Sequence, residues 1–375
     1  EADAGYFVEG SAQTNQTPCE VGEYQNLKAQ TRCFEADQGH YVNTTAAANQ
    51  TACPPGTYQP GTASYFCINA SPGHFVQQYG QAFQKACQPG TYQPLGGMPL
   101  CEQAQPGYYS KDVASVNQIA CQAGTFNPDY GGTSSMSCIF AEVGHYVPLP
   151  GQSEQLLCPK GTYQQDEGSV ACRDSSPGYF IPSEGAYLQT PCAYGTYQPN
   201  TGSFECLLAD KGHFVDQTAS KVQFECRFGT YQPLQGQSEC SVSPAGYFVD
   251  SSKGMGQFDV APCPPGTYNP NSGGSKIDDC LNASKGHFVA ELGQTKQTPC
   301  DFGSFQPTDG ASVCAEADIG YYVPFMTSTI QLQCPALSST LERGADDLAL
   351  CIIDSDGDGS PDVQDEDDYN DGVPD

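Results

Sequence analysis

Apolar residues in this chain fall in short clusters set among polar, glycine- and proline-rich spacers. Clusters such as Gly-His-Phe-Val and Thr-Tyr-Gln are aromatic and β-branched, and Gly or Pro closes them off. They predict strands of three to five residues joined by turns. The 3.6-residue periodicity of an amphipathic helix is absent except over Leu337–Leu350, where leucines recur at near-helical spacing.

The clusters repeat. Gly-aromatic starts stand at Gly5, Gly39, Gly73, Gly107, Gly144, Gly178, Gly212, Gly246, Gly286 and Gly320, 34 residues apart except for one spacing of 37 and one of 40. A second signpost follows a cysteine in each repeat: CPPGTYQP at Cys53, CQPGTYQP at Cys87, CAYGTYQP at Cys192, CRFGTYQP at Cys226 and CPPGTYNP at Cys263. The tenth copy, CPALSSTL at Cys334, lacks the Gly-Thr-Tyr. The repeats run 1–38, 39–72, 73–106, 107–143, 144–177, 178–211, 212–245, 246–285, 286–319 and 320–353, with 354–375 standing apart. Phe75 and Tyr58, with their counterparts, are the expected packing residues. So small a unit cannot bury its apolar side alone, and neighbours must stack. The expected fold is all-β, with small disulfide-rich repeats stacked into an elongated rod on the order of 200 Å. Asp129–Ser137 and Asn271–Asp279 lengthen surface loops, which tolerate insertion.

The cysteines share this period: Cys19, Cys33, Cys53, Cys67, Cys87, Cys101, Cys121, Cys138, Cys158, Cys172, Cys192, Cys206, Cys226, Cys240, Cys263, Cys280, Cys300, Cys314, Cys334 and Cys351. Their gaps alternate, mostly 14 then 20. An even count at regular spacing signals disulfides and an oxidising, extracellular compartment. Zinc would want close CxxC pairs, and the sequence has none. Pairing across the shorter gap uses every cysteine, whereas pairing across the longer one leaves Cys351 over. A bridge closing a loop of about 15 residues is worth roughly 3 kcal/mol, which decides whether so small a repeat folds.

CPPGTYQP-x-x-G…C followed by PGHFV resembles the cysteine-rich repeats of the ephrin-receptor-like and tumour-necrosis-factor-receptor-like class, over residues 1–353. The resemblance implies a one-disulfide module pairing Cys53 with Cys67, and an extracellular protein that binds protein ligands or serves as a spacer. The family usually carries a further cysteine just after the loop, as in CxxC, where this chain has Ala or Ser.

After Cys351 the composition changes to DSDGDGSPDVQDEDDYNDGVPD, with ten acids and no base. Asp354, Asp356 and Asp358 alternate, Gly359 permits a sharp turn, and Asp362 and Asp365 follow. Acids at positions 1, 3, 5 and 12 with a Gly at 6 follow the logic of an oxygen cage for calcium. Asp365, Asp367, Asp371 and Asp375 continue the series. The segment resembles a thrombospondin type 3 repeat, which implies calcium wrapped by acidic loops. A solvated acidic tail is the alternative, and without cation such a run repels itself and unfolds.

The five histidines, His40, His74, His145, His213 and His287, all sit in Gly-His-aromatic, where other repeats carry Tyr6, Tyr108, Tyr179, Tyr247 and Tyr321. Interchange with Tyr fits a half-exposed packing ladder better than catalysis or metal binding. Sequons stand at Asn15, Asn43, Asn49, Asn69 and Asn282. Asn15 and Asn49 lie four residues before a first cysteine, and Asn69 and Asn282 two after a second. Covalent glycans at equivalent surface spots are the expectation.

The net charge is −29 with only 14 Lys and Arg, which argues against nucleic acid or an anionic membrane surface as partner. No apolar run approaches a membrane span. Glu1-Ala2-Asp3 aligns with Glu35-Ala36-Asp37, so the chain is expected to be an excerpt of a longer array. No nucleophile elbow, phosphate loop, HExxH or dinucleotide fingerprint is present, and no enzyme activity is expected. The expected function is an extracellular structural protein, serving as stalk, adhesin shaft or self-associating fibre with a calcium-stabilised C-terminal segment. The alternative is a receptor-like ectodomain that binds a protein, with 107–143 and 246–285 as its candidate repeats.

Overall fold

The computed structural model describes residues 1–364; Asp365, Asp367, Asp371 and Asp375 lie outside the described residues. The described chain is all-β apart from single 3-10 turns at Ser135–Ser137, Ser251–Lys253, Ile277–Asp279 and Leu348–Leu350. It forms 20 two-stranded antiparallel hairpins, and none of them joins a wider sheet.

Each 34-residue repeat holds two hairpins, not one. In the third repeat His74–Phe75 pairs with Lys85–Ala86, and Thr91–Tyr92 pairs with Glu102–Gln103. The two are related by a shift of 17 residues, which carries Gly73 onto Gly90 and Cys87 onto Ala104. Most strands are two residues long, shorter than the three to five the sequence suggests. The reason lies in the third residue. Val76 donates its N–H to the Met98 carbonyl of the following hairpin at 3.2 Å, and so leaves its own ladder. Leu337–Leu350 also departs from the helical expectation. Ser338–Thr340 is a strand, and only Leu348–Leu350 makes a helical turn.

The core is made of small residues buried at the same places of successive hairpins. Val42, Val76, Val147 and Ile181 in one part of the chain, and Val215, Val249, Val289 and Val323 in the other, are all buried at the same place of their repeats. The first cysteine of each bridge and the alanines Ala36, Ala70, Ala104, Ala141, Ala209, Ala283 and Ala317 are buried as well. Phe75 and Tyr58 are only half-buried. The packing residues are instead the Val after the aromatic and the Gln after the Tyr, of which Gln93 is 1% exposed.

Buried glutamines brace the loops. Gln59 donates to the Phe66 carbonyl at 2.9 Å and accepts from Gly61 N–H at 3.0 Å. In the lengthened loops a shorter amide takes this place. Asn127 reaches the Tyr108 carbonyl at 3.0 Å, and Asn269 the Tyr247 carbonyl at 3.4 Å.

An isolated hairpin of this size is marginal in water, so the contacts between hairpins matter most. The chain divides into two compact units. One comprises Glu1–Ser175, Ile181–Gln189 and Gly202–Phe204. There Gly5 N–H donates to Gln25 O in the next hairpin, and Ala46 N–H in the next but one donates to Cys19 O, both at 2.8 Å. A Cβ on Gly5 would lie 2.1 Å from the Ala46 carbonyl oxygen, so only glycine fits. Ala46 itself sits at φ 58°, in the left-handed region. The insertion in 107–143 preserves this approach, with a Cβ on Gly107 falling 2.1 Å from the Gly151 carbonyl oxygen.

The other unit comprises Ser176–Phe180, Thr190–Thr201 and the chain from Glu205 onward. There Gly286 N–H donates to Gln306 O and Thr327 N–H to Cys300 O, both at 2.9 Å. A Cβ on Gly286 would meet the Thr327 carbonyl at 2.1 Å. The pattern stops at Gly320, where a Cβ would come no closer than 3.8 Å to Ser339 Oγ and whose N–H donates to Thr340 Oγ1 at 3.1 Å. In the last described hairpin the glycine place holds Leu337, at φ 63°.

All cysteines pair across the shorter gap: Cys19–Cys33, Cys53–Cys67, Cys87–Cys101, Cys121–Cys138, Cys158–Cys172, Cys192–Cys206, Cys226–Cys240, Cys263–Cys280, Cys300–Cys314 and Cys334–Cys351. The spacing argument and the family resemblance imply this same pairing.

Candidate functional site

The acidic turn begins directly after the last hairpin. Asp354 occupies the place that Ala36 and Ala70 hold after earlier strands, and it is 3% exposed. Its N–H donates to the Leu337 carbonyl at 3.1 Å, which fastens the turn to the hairpin. Its two carboxylate oxygens accept Gly357 N–H at 2.8 Å and Gly359 N–H at 3.2 Å. Ser339 Oγ donates to the Gly359 carbonyl at 2.9 Å from the hairpin side.

Asp354, Asp356 and Asp358 each bring a carboxylate oxygen within 4.8 Å of the others. Asp362 is turned elsewhere and accepts Ser355 N–H at 2.6 Å and Ser355 Oγ–H at 2.7 Å. The structure thus assembles three of the four expected ligands that it describes. A hard cation with oxygen ligands suits this donor set, and zinc, which favours nitrogen and sulfur, does not. Three carboxylates fall short of the six to eight oxygens that calcium takes.

The sequon residues Asn15, Asn43, Asn49, Asn69 and Asn282 are all exposed. Asn69 and Asn282 lie on equivalent second strands of disulfide hairpins.

The histidines are half-buried. The His40 ring carbon Cε1 lies 3.5 Å from a Cβ placed on Gly80, in the left-handed turn of the hairpin two further on. Tyr108 meets Gly151 and Tyr247 meets Gly293 in the same way. The shared demand is a flat ring over a turn, which either residue meets.

A few groups among the described residues depart from their ordinary titration. Lys28, at 3.1 Å, holds Asp3 below its usual range. The Ser275 N–H, at 2.6 Å, does the same for Asp279. Burial, then Glu102 across the strand pair, pushes the Tyr92 phenol up.

Exposed apolar residues gather at the first insertion. Met136 is 93% exposed and, with Tyr109, Ile119 and Phe140, lines an open groove of about 560 Å³. Among the described residues no helix is long and apolar enough to cross a membrane. No protein-family model matches the chain, and no curated protein sequence matches it.

Proposed function

We propose that this is an extracellular structural protein, a disulfide-stapled stalk or shaft whose stacked hairpins extend into a rod. One observation carries the reading. Within each unit the same backbone contacts join a hairpin to the next and the next but one, through bonds no longer in sequence than Gly151 N to Cys121 O. Contacts of this reach build a line of units rather than a ball. The ten bridges suit secretion into an oxidising compartment. Glycans on the exposed sequons and calcium at Asp354, Asp356 and Asp358 complete the proposal, the cation drawing the turn onto the last hairpin. Calcium or sugar would mediate contact between copies, because a net charge of −29 otherwise drives them apart.

Small-angle scattering of the secreted chain, with calcium and then with chelator, tests this. A rod-like cross-section is expected, with added order at the acidic end when calcium is present. A compact sphere overturns the rod, and identical curves and melting profiles in both buffers overturn the calcium part.

The Met136 groove favours a second reading, in which 107–143 docks a protein partner. The loss of partner binding when Asp129–Ser137 is deleted would support it.

A further inference from the structure

The hairpins are of two kinds, and they alternate. Moving a disulfide by 17 residues carries Cys19 onto Ala36 and Cys33 onto Gln50. In every hairpin without a bridge the first cysteine's place is a buried Ala or Ser. The second cysteine's place holds Gln16, Gln50, Gln84, Gln118, Gln155, Gln189, Gln223, Gln297 and Gln331, each three residues before the next cysteine.

These glutamines do the closing that sulfur does elsewhere. Gln50 Oε1 accepts the N–H of Asp37, the residue after Ala36, at 2.7 Å. Gln84 takes Ser71 N–H, Gln223 takes Asp210 N–H and Gln331 takes Asp318 N–H at the same distance. In several hairpins Nε2 returns to that residue's carboxylate, as Gln50 does to Asp37 at 2.7 Å.

One hairpin breaks the rule at both ends. Before Cys263 the place holds Val260, and the residue that should donate is Pro244, which has no N–H. Acceptor and donor are lost together, which marks the pair as one device.

The geometry points to a division of labour along the chain: the glutamine-closed hairpins are its yielding elements, and the disulfide hairpins are its locked ones. These exposed hydrogen bonds exchange readily with water, and the bridges do not. Tension, or local opening, then releases the segment between successive bridges, such as the 20 residues from Cys33 to Cys53, and stops at the next sulfur pair. The chain is a tether of limited stretch. This rests on the structural reading above, but the alternation itself does not need a rod.

Pulling the full oxidised chain from its ends tests the idea. Steps below about 70 Å are expected, the contour of 20 residues at ~3.5 Å each less the span they already cover when folded, and reductant should lengthen them to the full repeat. Native-state hydrogen exchange should show faster amides in the glutamine hairpins than in their disulfide neighbours, and fastest of all around Tyr247–Phe248. The pair Ala70→Cys with Gln84→Cys should remove one step, and Gln84→Ala should lower the force of one. Full-repeat steps in the oxidised chain, or equal exchange in both kinds of hairpin, overturn the proposal. A compact scattering curve with alternating exchange would overturn the rod and leave the alternation standing.

Discussion

Gln93 Nε2 donates to the carbonyl of Leu100 at 2.9 Å, across the loop that the Cys87–Cys101 bridge closes. Its Oε1 accepts Leu95 N–H at 3.0 Å, so one buried side chain satisfies both a donor and an acceptor of the loop. Gln93→Ala strands both groups and should cost about 1–3 kcal/mol. Gln93→Asn should cost nearly as much, because the shorter amide serves the lengthened loops and not this one. Chemical denaturation of the three proteins checks the order.

Substituting alanine for glycine should separate strain from stacking. Gly10 and Gly39 both have positive φ, but a Cβ on Gly10 meets nothing within 4 Å and one on Gly39 meets the Gly80 carbonyl at 2.1 Å. Gly10→Ala should lose about 1 kcal/mol from backbone strain alone. Gly39→Ala should lose several times more and free the Gly39 N–H from Gln59 O, visible as rapid exchange of that amide.

The reverse change should help. Ala46 and Thr327 lie at φ 58° in the left-handed region. Ala46→Gly and Thr327→Gly should each relieve about 1 kcal/mol of that strain, less what the more flexible unfolded chain gives back. A raised melting temperature for each is the expected result.

Much of this was legible in the sequence, and the parts that were not have physical reasons. Cysteine pairing could be read because a bridge within a repeat leaves its spacing in the chain. The second hairpin of each repeat was hidden because Ala36 and Gln50 do not look like Cys19 and Cys33, although they occupy the same places. A glutamine three residues before the first cysteine of every bridge except Cys263–Cys280 was the available signal. Its meaning depends on an N–H 13 residues away, which no periodicity displays. Phe75 drew attention by size, yet Val76 is the buried neighbour, since a two-residue strand turns its third side chain inward. At the acidic end the alternating aspartates foretold the cluster of three, but not the turn of Asp362 onto Ser355.

Acid should loosen the turn that Asp279 holds. Ser275 N–H holds the folded Asp279 carboxyl below its usual value of 3.8. Its contribution is therefore fully present above that pH and is lost as the pH falls through the lower, folded value. Asp279 is mostly solvated, so the effect is local. Exchange at Ser275 and Lys276 should quicken below about pH 4, and Asp279→Asn should show the same rates at neutral pH.

Asp354→Ala should part the roles of hairpin and cation site. Alanine is what this place holds at Ala36 and Ala70, so the Cys334–Cys351 hairpin should keep its melting behaviour in chelator. Any calcium-dependent heat or protection at Ser355–Asp358 should vanish. Calorimetry against calcium, with the parent chain alongside, reads both.

The glycine row has a direction as well as a period. The bare Cα that opens each hairpin, from Gly5 to Gly303, admits the carbonyl of a later hairpin, and in the last described hairpin that place holds Leu337. A hairpin duplicated with this glycine in place therefore brings its own seat for a later carbonyl, whereas a copy of the Leu337 hairpin would not.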